Sequence, residues 1–381
     1  MQIFQEDDKI AEIYQRSISL SISKEFAEKK HGKITVEVKK NSEQNHPRRE
    51  LLAVEVQANK DKVIEEHGQR HFKNQVLRQF NENVSAKVTQ EFENTEYLYH
   101  HTLKIENAAP SILEILSLKS ASINRINPLA KSLPWLSRDL LTLVNKPQYR
   151  RDADIQVTNV NLALSYIGLD NLKVLMPTYI LKHWLPDSTA PHPMMKRKLW
   201  NDSLSIALAS KTLAEQEGLD DFTAFSCGML TNIGNLAVSR CVLNNYNTMH
   251  KAAQKTAFEE KDKRLHEVYV QLDASPDLLL ENFTKHSSKI AADMVELMRL
   301  DHLVITEAIF DIAYGNKIDL MHPIAQIVIK AKAYVMFRTL AKENLITTDE
   351  AKRLLSSVKL TAKNIALLKK TNIEHIKLNF Y

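Results

Sequence analysis

The segment PMMKRKLWNDSLSIALASKTLAEQEGLDDFTAFSCGMLTNIGNL, residues 193–236, decides the fold of this chain. Its first part begins at Pro193 and stops at Gly218, and proline in the first turn with glycine just beyond the last turn is typical of a helix. Apolar residues recur on one face of this helix; they are Trp200, Leu204, Ala207, Leu208 and Ala214. Asp220 is a candidate N-cap for a second helix over Phe222 to Leu230. The segment therefore predicts two consecutive helices.

Composition extends this prediction to the rest of the chain. The 381 residues include only 7 glycines and 11 prolines, well under half of the roughly 12% that these two residues average together. Glycine supplies the positive-φ corners of hairpins and phosphate-binding loops, so we exclude a large β-sandwich or barrel, a collagen-like repeat and a Gly-rich nucleotide loop. Further helices are predicted over Asn159 to Ile167, closed by Gly168, and over 283–299, 303–314, 323–341 and 348–368. The fold class is therefore all-α.

The N-terminal region leaves two alternatives open. Residues 1–30 have the apolar spacing of an amphipathic helix. Lys33 to Val38 and Leu52 to Val56 alternate with period two, which fits either a β-hairpin over 33–57 or two helical segments. Apolar density rises near residue 108, where we place a boundary. The chain then divides into 1–108, of unassigned role, a helical domain over 109–345, and a C-terminal helical extension over 346–381.

Net charge and cysteine content limit which binding partners and which cellular location we expect for this protein. The net charge is only +5, without the concentrated basic stripe of a nucleic-acid binder, so we expect no nucleic-acid partner. The two cysteines, Cys227 and Cys241, are too few for a disulfide framework or a Cys-based zinc site. No run approaches the ~18 apolar residues of a membrane span, and the opening MQIFQEDDKI lacks a signal core. We expect a cytoplasmic protein that does not contact a membrane.

The residues by themselves show no catalytic constellation. None of the 14 histidines occurs in a His-Glu-x-x-His motif, as a zincin site requires. The sequence has no Gly-x-Ser-x-Gly nucleophile motif and no Gly-rich phosphate loop. His286 opens an apolar helix, where a capping or core-edge role is the simpler alternative to a ligand role.

Four stretches between residues 111 and 340 occur in an order that resembles the HDOD domain, a relative of the HD-type metal-dependent phosphohydrolases. They are Leu140 to Pro147, Asn161 to Leu169, Leu199 to Leu204 and Ala224 to Leu236. In the last of these, Gly228 to Gly234 looks like a glycine-bounded segment that is typical of the family. The resemblance implies an HD/PDEase-like bundle of many helices.

The same resemblance implies that the metal-binding positions have lost their ligands. The positions that would carry the histidines and aspartates are Asp202, Thr231, Asn232, His286 and Lys332. Threonine and asparagine are weak neutral ligands, and a lysine ammonium would repel a divalent cation by several kcal/mol at an effective dielectric of ~20. We expect these vestigial positions to line one polar region, with Lys332 paired to Asp202 or bound to an anion. We expect no metal and no other cofactor.

Two functions follow from the resemblance. The one that the substitutions favour is a non-catalytic regulatory module in bacterial signal transduction. Its candidate partners are an unidentified protein, a second copy of the chain, and a small anion or nucleotide. The alternative is an enzyme, a divergent metal-dependent phosphohydrolase of phosphodiesterase type. It would act on a nucleotide or cyclic dinucleotide with Mn, Mg or Fe, through Asp202 and His286.

Overall fold

Helices make up the regular structure of the described part of the chain. The computed structural model describes residues 1–32, 53–149 and 156–378, with only the backbone described over 53–67. Its α-helices are α1 (Asp8–Ile22), α2 (Lys24–His31), α3 (Ala53–Phe92), α4 (Thr95–Tyr97), α5 (Ala108–Ser117), α6 (Ile123–Ser132), α7 (Pro134–Val144), α8 (Val160–Ile167), α9 (Leu169–Trp184), α10 (Met195–Glu217), α11 (Asp221–Leu230), α12 (Ile233–Glu259), α13 (Lys263–Val270), α14 (Pro276–Leu297), α15 (Ile305–Tyr314), α16 (Pro323–Lys342), α17 (Thr348–Ser357) and α18 (Ala362–Lys370). Within those residues there is no strand, and the predicted all-α class is confirmed. None of the helices described is both long and apolar enough to cross a membrane.

The two helices predicted from residues 193–236 form as expected. Helix α10 begins at Met195, two residues after the predicted start, and ends where Gly218 takes the left-handed conformation with φ 71°. Asp220 is the N-cap of α11 and accepts a hydrogen bond from the backbone N–H of Thr223 at 2.8 Å. Capping and terminal glycine therefore set these boundaries, as the sequence indicates.

The hairpin alternative is wrong for its second half. Residues from Ala53 onward are helical from the start of α3, whereas a hairpin over 33–57 would require a strand there. The alternation there covers only about one helical turn, too little to distinguish a strand from the start of a long helix. The first run, residues 33–38, and Leu52 lie outside the described residues.

The helix predicted over 348–368 is in fact two helices. Helix α17 ends at Ser357, and Lys359 follows with φ 53°, a left-handed residue that turns the chain. Helix α18 then begins with a capping box, in which the Thr361 hydroxyl accepts from the backbone N–H of Asn364 and the Asn364 side chain accepts from that of Thr361. Such a pair satisfies two backbone donors that a continuous helix would not leave free.

The N-terminal helices share one apolar core with the later ones. Helix α10 packs against α11 and α16, α12 packs against α14, and α1 lies across α14, α16 and α17. Buried apolar side chains of α1, such as Ile13 and Leu20, belong to the same cluster as those of α12 and α16. The boundary near residue 108 stays a prediction about the sequence, since the helices on its two sides pack together.

Two glycines allow backbones to meet where the helices cross. A Cβ on Gly234 would lie 1.8 Å from the carbonyl oxygen of Ser287 in α14, and one on Gly228 would lie 2.7 Å from Cα of Ala207 in α10. Both distances are shorter than any real side-chain contact. The connection between α11 and α12 is therefore held against both α10 and α14, and it carries two of the predicted site residues, Thr231 and Asn232.

We expect Gly234→Ala to lower the free energy of unfolding by about 3 kcal/mol, because the added methyl group must displace the backbone of α14. Gly68→Ala is the matched control: Gly68 lies inside α3, and nothing lies within 4 Å of the position that its methyl group would take. It should raise stability by up to about 1 kcal/mol, because alanine is the better helix former. Urea denaturation of the two variants measures both effects, and equal stability of both would contradict the close approach.

Candidate functional site

A small cavity lies among five helices. Its volume is about 40 Å³, and α1, α10, α14 and α16 form its walls together with the start of α12. Asp202 comes from α10, Asn232 from the turn before α12 and Lys332 from α16. The space is that of one or two water molecules. Three of the five predicted site residues therefore face one cavity, although they are up to 130 residues apart in the chain.

Lys332 begins a hydrogen-bond chain that links three helices. Its ammonium donates to Oδ1 of Asn232 at 3.2 Å, and Nδ2 of Asn232 donates to Oγ of Ser203 at 3.2 Å. The Ser203 hydroxyl donates in turn to the carbonyl oxygen of Leu199 at 2.9 Å. An ammonium group can only donate, so the amide oxygen of Asn232 must face Lys332. All three side chains are buried, so the chain of donors and acceptors satisfies polar groups that water does not reach.

Asp202 is the carboxylate of the cavity. Its Oδ2 accepts a hydrogen bond from the hydroxyl of Ser21, on α1, at 3.1 Å. Burial raises the pKa of Asp202 to about 6, and the Ser21 hydrogen bond and the nearby cations Lys198 and Lys332 oppose that rise. Desolvation therefore outweighs the favourable charges around this group.

Lys332 does not form the predicted ion pair with Asp202. Its hydrogen bond goes to Asn232, and no ion pair or hydrogen bond joins its ammonium to the Asp202 carboxylate. Burial lowers the pKa of Lys332 to about 8, and the charge of Asp202 opposes that lowering from a distance. The two charges thus face the same cavity while each takes a neutral hydrogen-bond partner.

Thr231 and His286 lie away from the cavity. Thr231 is buried at the end of α11, and its hydroxyl has no hydrogen-bond partner among the described residues. The half-buried ring of His286 packs against Phe92 of α3, with 4.8 Å between ring centroids. Burial, and then the neighbouring Lys285 and Lys289, lower the pKa of His286. An aromatic contact at the edge of the core therefore accounts for this histidine.

The residues of the cavity do not fit a divalent metal ion. Over residues 1–32, 53–149 and 156–378, no three His, Cys, Asp or Glu side chains lie close enough together to hold one. Asp202 supplies one carboxylate, and the oxygen of Asn232 that could serve as a neutral ligand already accepts from the Lys332 ammonium. A divalent cation beside that ammonium would be repelled.

Helix α1 completes the site, and sequence reasoning did not identify it. Tyr14, Ile18 and Ser21 of α1 contribute to the cavity wall. The hydrogen bond from Ser21 to Asp202 spans 181 residues. The amphipathic pattern of residues 1–30 indicates a helix with a buried face, but no signal in it tells which helices that face contacts.

We expect Asp202→Asn to become more stable relative to the unsubstituted protein as pH rises from 4 to 6. A carboxyl whose folded pKa is raised binds its proton more tightly in the folded state, so its ionisation above the unfolded pKa of 3.8 costs stability up to about pH 6. Asparagine removes that cost and retains an oxygen that accepts from Ser21. The relative gain should be on the order of 2 kcal/mol.

Urea denaturation at pH 4, 5 and 6 measures this difference. Asp301→Asn, which removes an exposed carboxylate from the loop before α15, controls for the loss of one negative charge. A stability difference for Asp202→Asn that stays constant across this pH range would show that the carboxyl is solvated.

The chain has sequence and structural relatives. A family model described as the HDOD domain matches residues 104–274. The chain is similar to a provisionally named phosphohydrolase from Shewanella amazonensis SB2B, with 16% identity, coverage of 75% of this chain and 93% of that chain, and a TM-score of 0.45. It is also similar to an HDOD domain protein of unknown function from Geobacter sulfurreducens, with 18% identity, coverage of 75% and 88%, and a TM-score of 0.45. No curated protein matches it.

The matched residues begin just before α5 and end just before α14. They include Asp202, Thr231 and Asn232, whereas His286 and Lys332 follow them in the chain. The four ordered stretches identified in the sequence all lie within the match. Residues 104–274 of this chain are thus similar to the HDOD domain.

Proposed function

We propose that this protein is a non-catalytic regulatory module of the HDOD type, which acts in signalling by binding a protein partner. The observation that carries the proposal is the hydrogen bond from the Lys332 ammonium to Asn232 in the cavity. By the resemblance, Lys332 occupies a position at which HD-type phosphohydrolases bind a metal ion, so this hydrogen bond holds a cation there instead. The family resemblance, rather than any contact in this structure, supplies the regulatory role.

The chemistry of the cavity supports a non-catalytic role. Metal-assisted hydrolysis needs anionic or imidazole ligands that fix each ion and lower the pKa of a bound water to ~7. Here one carboxylate, Asp202, shares the cavity with a buried lysine, and His286 is turned toward Phe92. Neither Asn232 nor Ser203 can replace the missing charge, because both side chains are neutral, and both are already hydrogen-bonded.

The position of α1 over one side of the cavity supports the same role. Helix α1 covers it with a buried apolar face that includes Ile10, Ile13 and Ile18. Arg16 of this helix forms an ion pair with Glu350 of α17 at 3.1 Å, and Arg353 of α17 binds Asp7, the N-cap of α1. A phosphate ester could reach the cavity from this side only if α1 moved away, and these contacts oppose that movement.

We also propose a cytoplasmic location. Cys227 and Cys241 are buried as separate free thiols, an arrangement that suits a reducing compartment. The partner in this proposal is another protein, with a second copy of the same chain as one candidate.

We expect the purified protein to hold far less than one metal ion per chain and to hydrolyse a generic phosphodiester no faster than buffer does, even with added Mn²⁺. Elemental analysis and a turnover assay measure these two quantities. Stoichiometric, tightly held metal together with turnover that Asp202→Ala abolishes and Asp301→Ala preserves would contradict the proposal. That result would favour the alternative, a divergent phosphohydrolase.

A further inference from the structure

A second, larger pocket adjoins the small cavity. Its volume is about 290 Å³, and it shares Asp202, Val335 and Thr339 with the cavity. Helices α10 and α16 form two of its walls, and the segment Ile373 to His375, which follows α18, forms the third. The family match, over residues 104–274, includes neither α16 nor this segment.

The carboxylates at the rim of this pocket already have cationic partners. Glu374 accepts from Arg338 at 2.9 Å. Glu343 pairs with Lys24 of α2 at 2.5 Å, and this hydrogen bond is the main reason why the pKa of Glu343 is lowered. Both acidic groups are therefore neutralised within the protein.

Two cations of the rim have no such partner. Arg197 on α10 and Lys342 on α16 are exposed, and no hydrogen bond or ion pair to them is found within the described residues. Lys198, beside Arg197, donates only to the backbone carbonyl oxygen of Leu20, so its charge is also not neutralised by a carboxylate at contact distance. The rim thus carries more positive charge than its own acidic groups compensate.

The neutral groups of the pocket suit the body of a small ligand. Asn201 and Ser205 offer polar atoms on the α10 side, while Val335 and Ile373 offer apolar surface. The carboxylate of Asp202 lies toward the inner end, where it shares the boundary with the cavity, so it would repel an anion and accept from a hydroxyl group. The volume lies near the lower end of the range for small-molecule sites, which suits a monophosphate better than a dinucleotide.

We propose that this pocket binds a phosphate monoester that carries hydroxyl groups, such as a sugar phosphate. Arg197 and Lys342 would hold the phosphate at the rim, because guanidinium and ammonium groups are strong donors to phosphate oxygens. The inner end of the pocket, with Asp202, would receive a hydroxyl group of the sugar. This ligand site requires no catalysis and stands whether or not the protein binds a protein partner.

The test is calorimetric titration of the full chain with ribose 5-phosphate, and with ribose and inorganic phosphate as comparison ligands. We expect saturable binding of ribose 5-phosphate at one site per chain, weaker binding of phosphate and none of ribose. The double variant Arg197→Gln/Lys342→Gln should weaken the binding of ribose 5-phosphate at least tenfold while its thermal unfolding midpoint stays unchanged.

The matched control is Lys119→Gln/Lys131→Gln, which removes two exposed cations elsewhere; Lys131 lies in the last turn of α6 as Lys342 does in α16. It should bind ribose 5-phosphate as the unsubstituted protein does. Absence of saturable binding, or equal weakening in the two double variants, would overturn the proposal. If phosphate bound as tightly as ribose 5-phosphate, the pocket would not recognise the sugar moiety, and that part of the proposal would be overturned.

Discussion

The desolvated ammonium group of Lys332 constrains the centre of this molecule. Lys332 is only 7% exposed, and within the described residues its hydrogen-bond partner is a neutral amide rather than a carboxylate. A buried charge is tolerated only where dipoles or opposite charges replace the water it has lost. Asn232 has to present its oxygen to that group, and Ser203 has to accept from the other end of the amide. The orientation of three helices follows from these hydrogen bonds.

The close approach of backbones makes this arrangement possible. Gly234 lets α12 meet the backbone of α14, and Gly228 lets α11 meet that of α10. The short connection between α11 and α12 is thereby held in place, with the Asn232 side chain pointing at α16. Helix α1 closes the remaining side and supplies the hydroxyl of Ser21 to Asp202. Asp202 consequently lines both the small cavity and the larger pocket that adjoins it.

Much of the helical structure could be predicted from local signals, and the failures have local causes too. Gly218 and Asp220 marked the boundary between α10 and α11 because each acts within one turn of its own position. The capping box of Thr361 and Asn364 was equally local but was overlooked within an apolar pattern that continued on both sides. The alternation up to residue 57 covered too few residues to decide between a hairpin and helical segments, and the helical alternative holds from Ala53, where α3 begins.

The site was less predictable, because its contacts are not local. The resemblance brought together Asp202, Asn232 and Lys332, and all three face the cavity. It did not indicate that Lys332 would bind the amide in preference to the carboxylate, since that choice depends on distances set by packing. Nor did it place His286, whose ring lies against Phe92 of a helix outside the resemblance. The contribution of α1 depends on a contact across 181 residues.

The most direct measurement is an NMR titration of the lysine side chains, with the signal of Lys332 assigned by its loss in Lys332→Met. Because burial lowers the pKa of this ammonium, we expect its signal to titrate near pH 8 and to be unaffected by Mg²⁺. Titration near the ordinary lysine value of ~10.4 would mean that the group is solvated. Displacement of the signal by Mg²⁺ would mean that the cavity accepts a divalent cation. Either result would contradict a desolvated ammonium group that keeps metal ions out of the cavity.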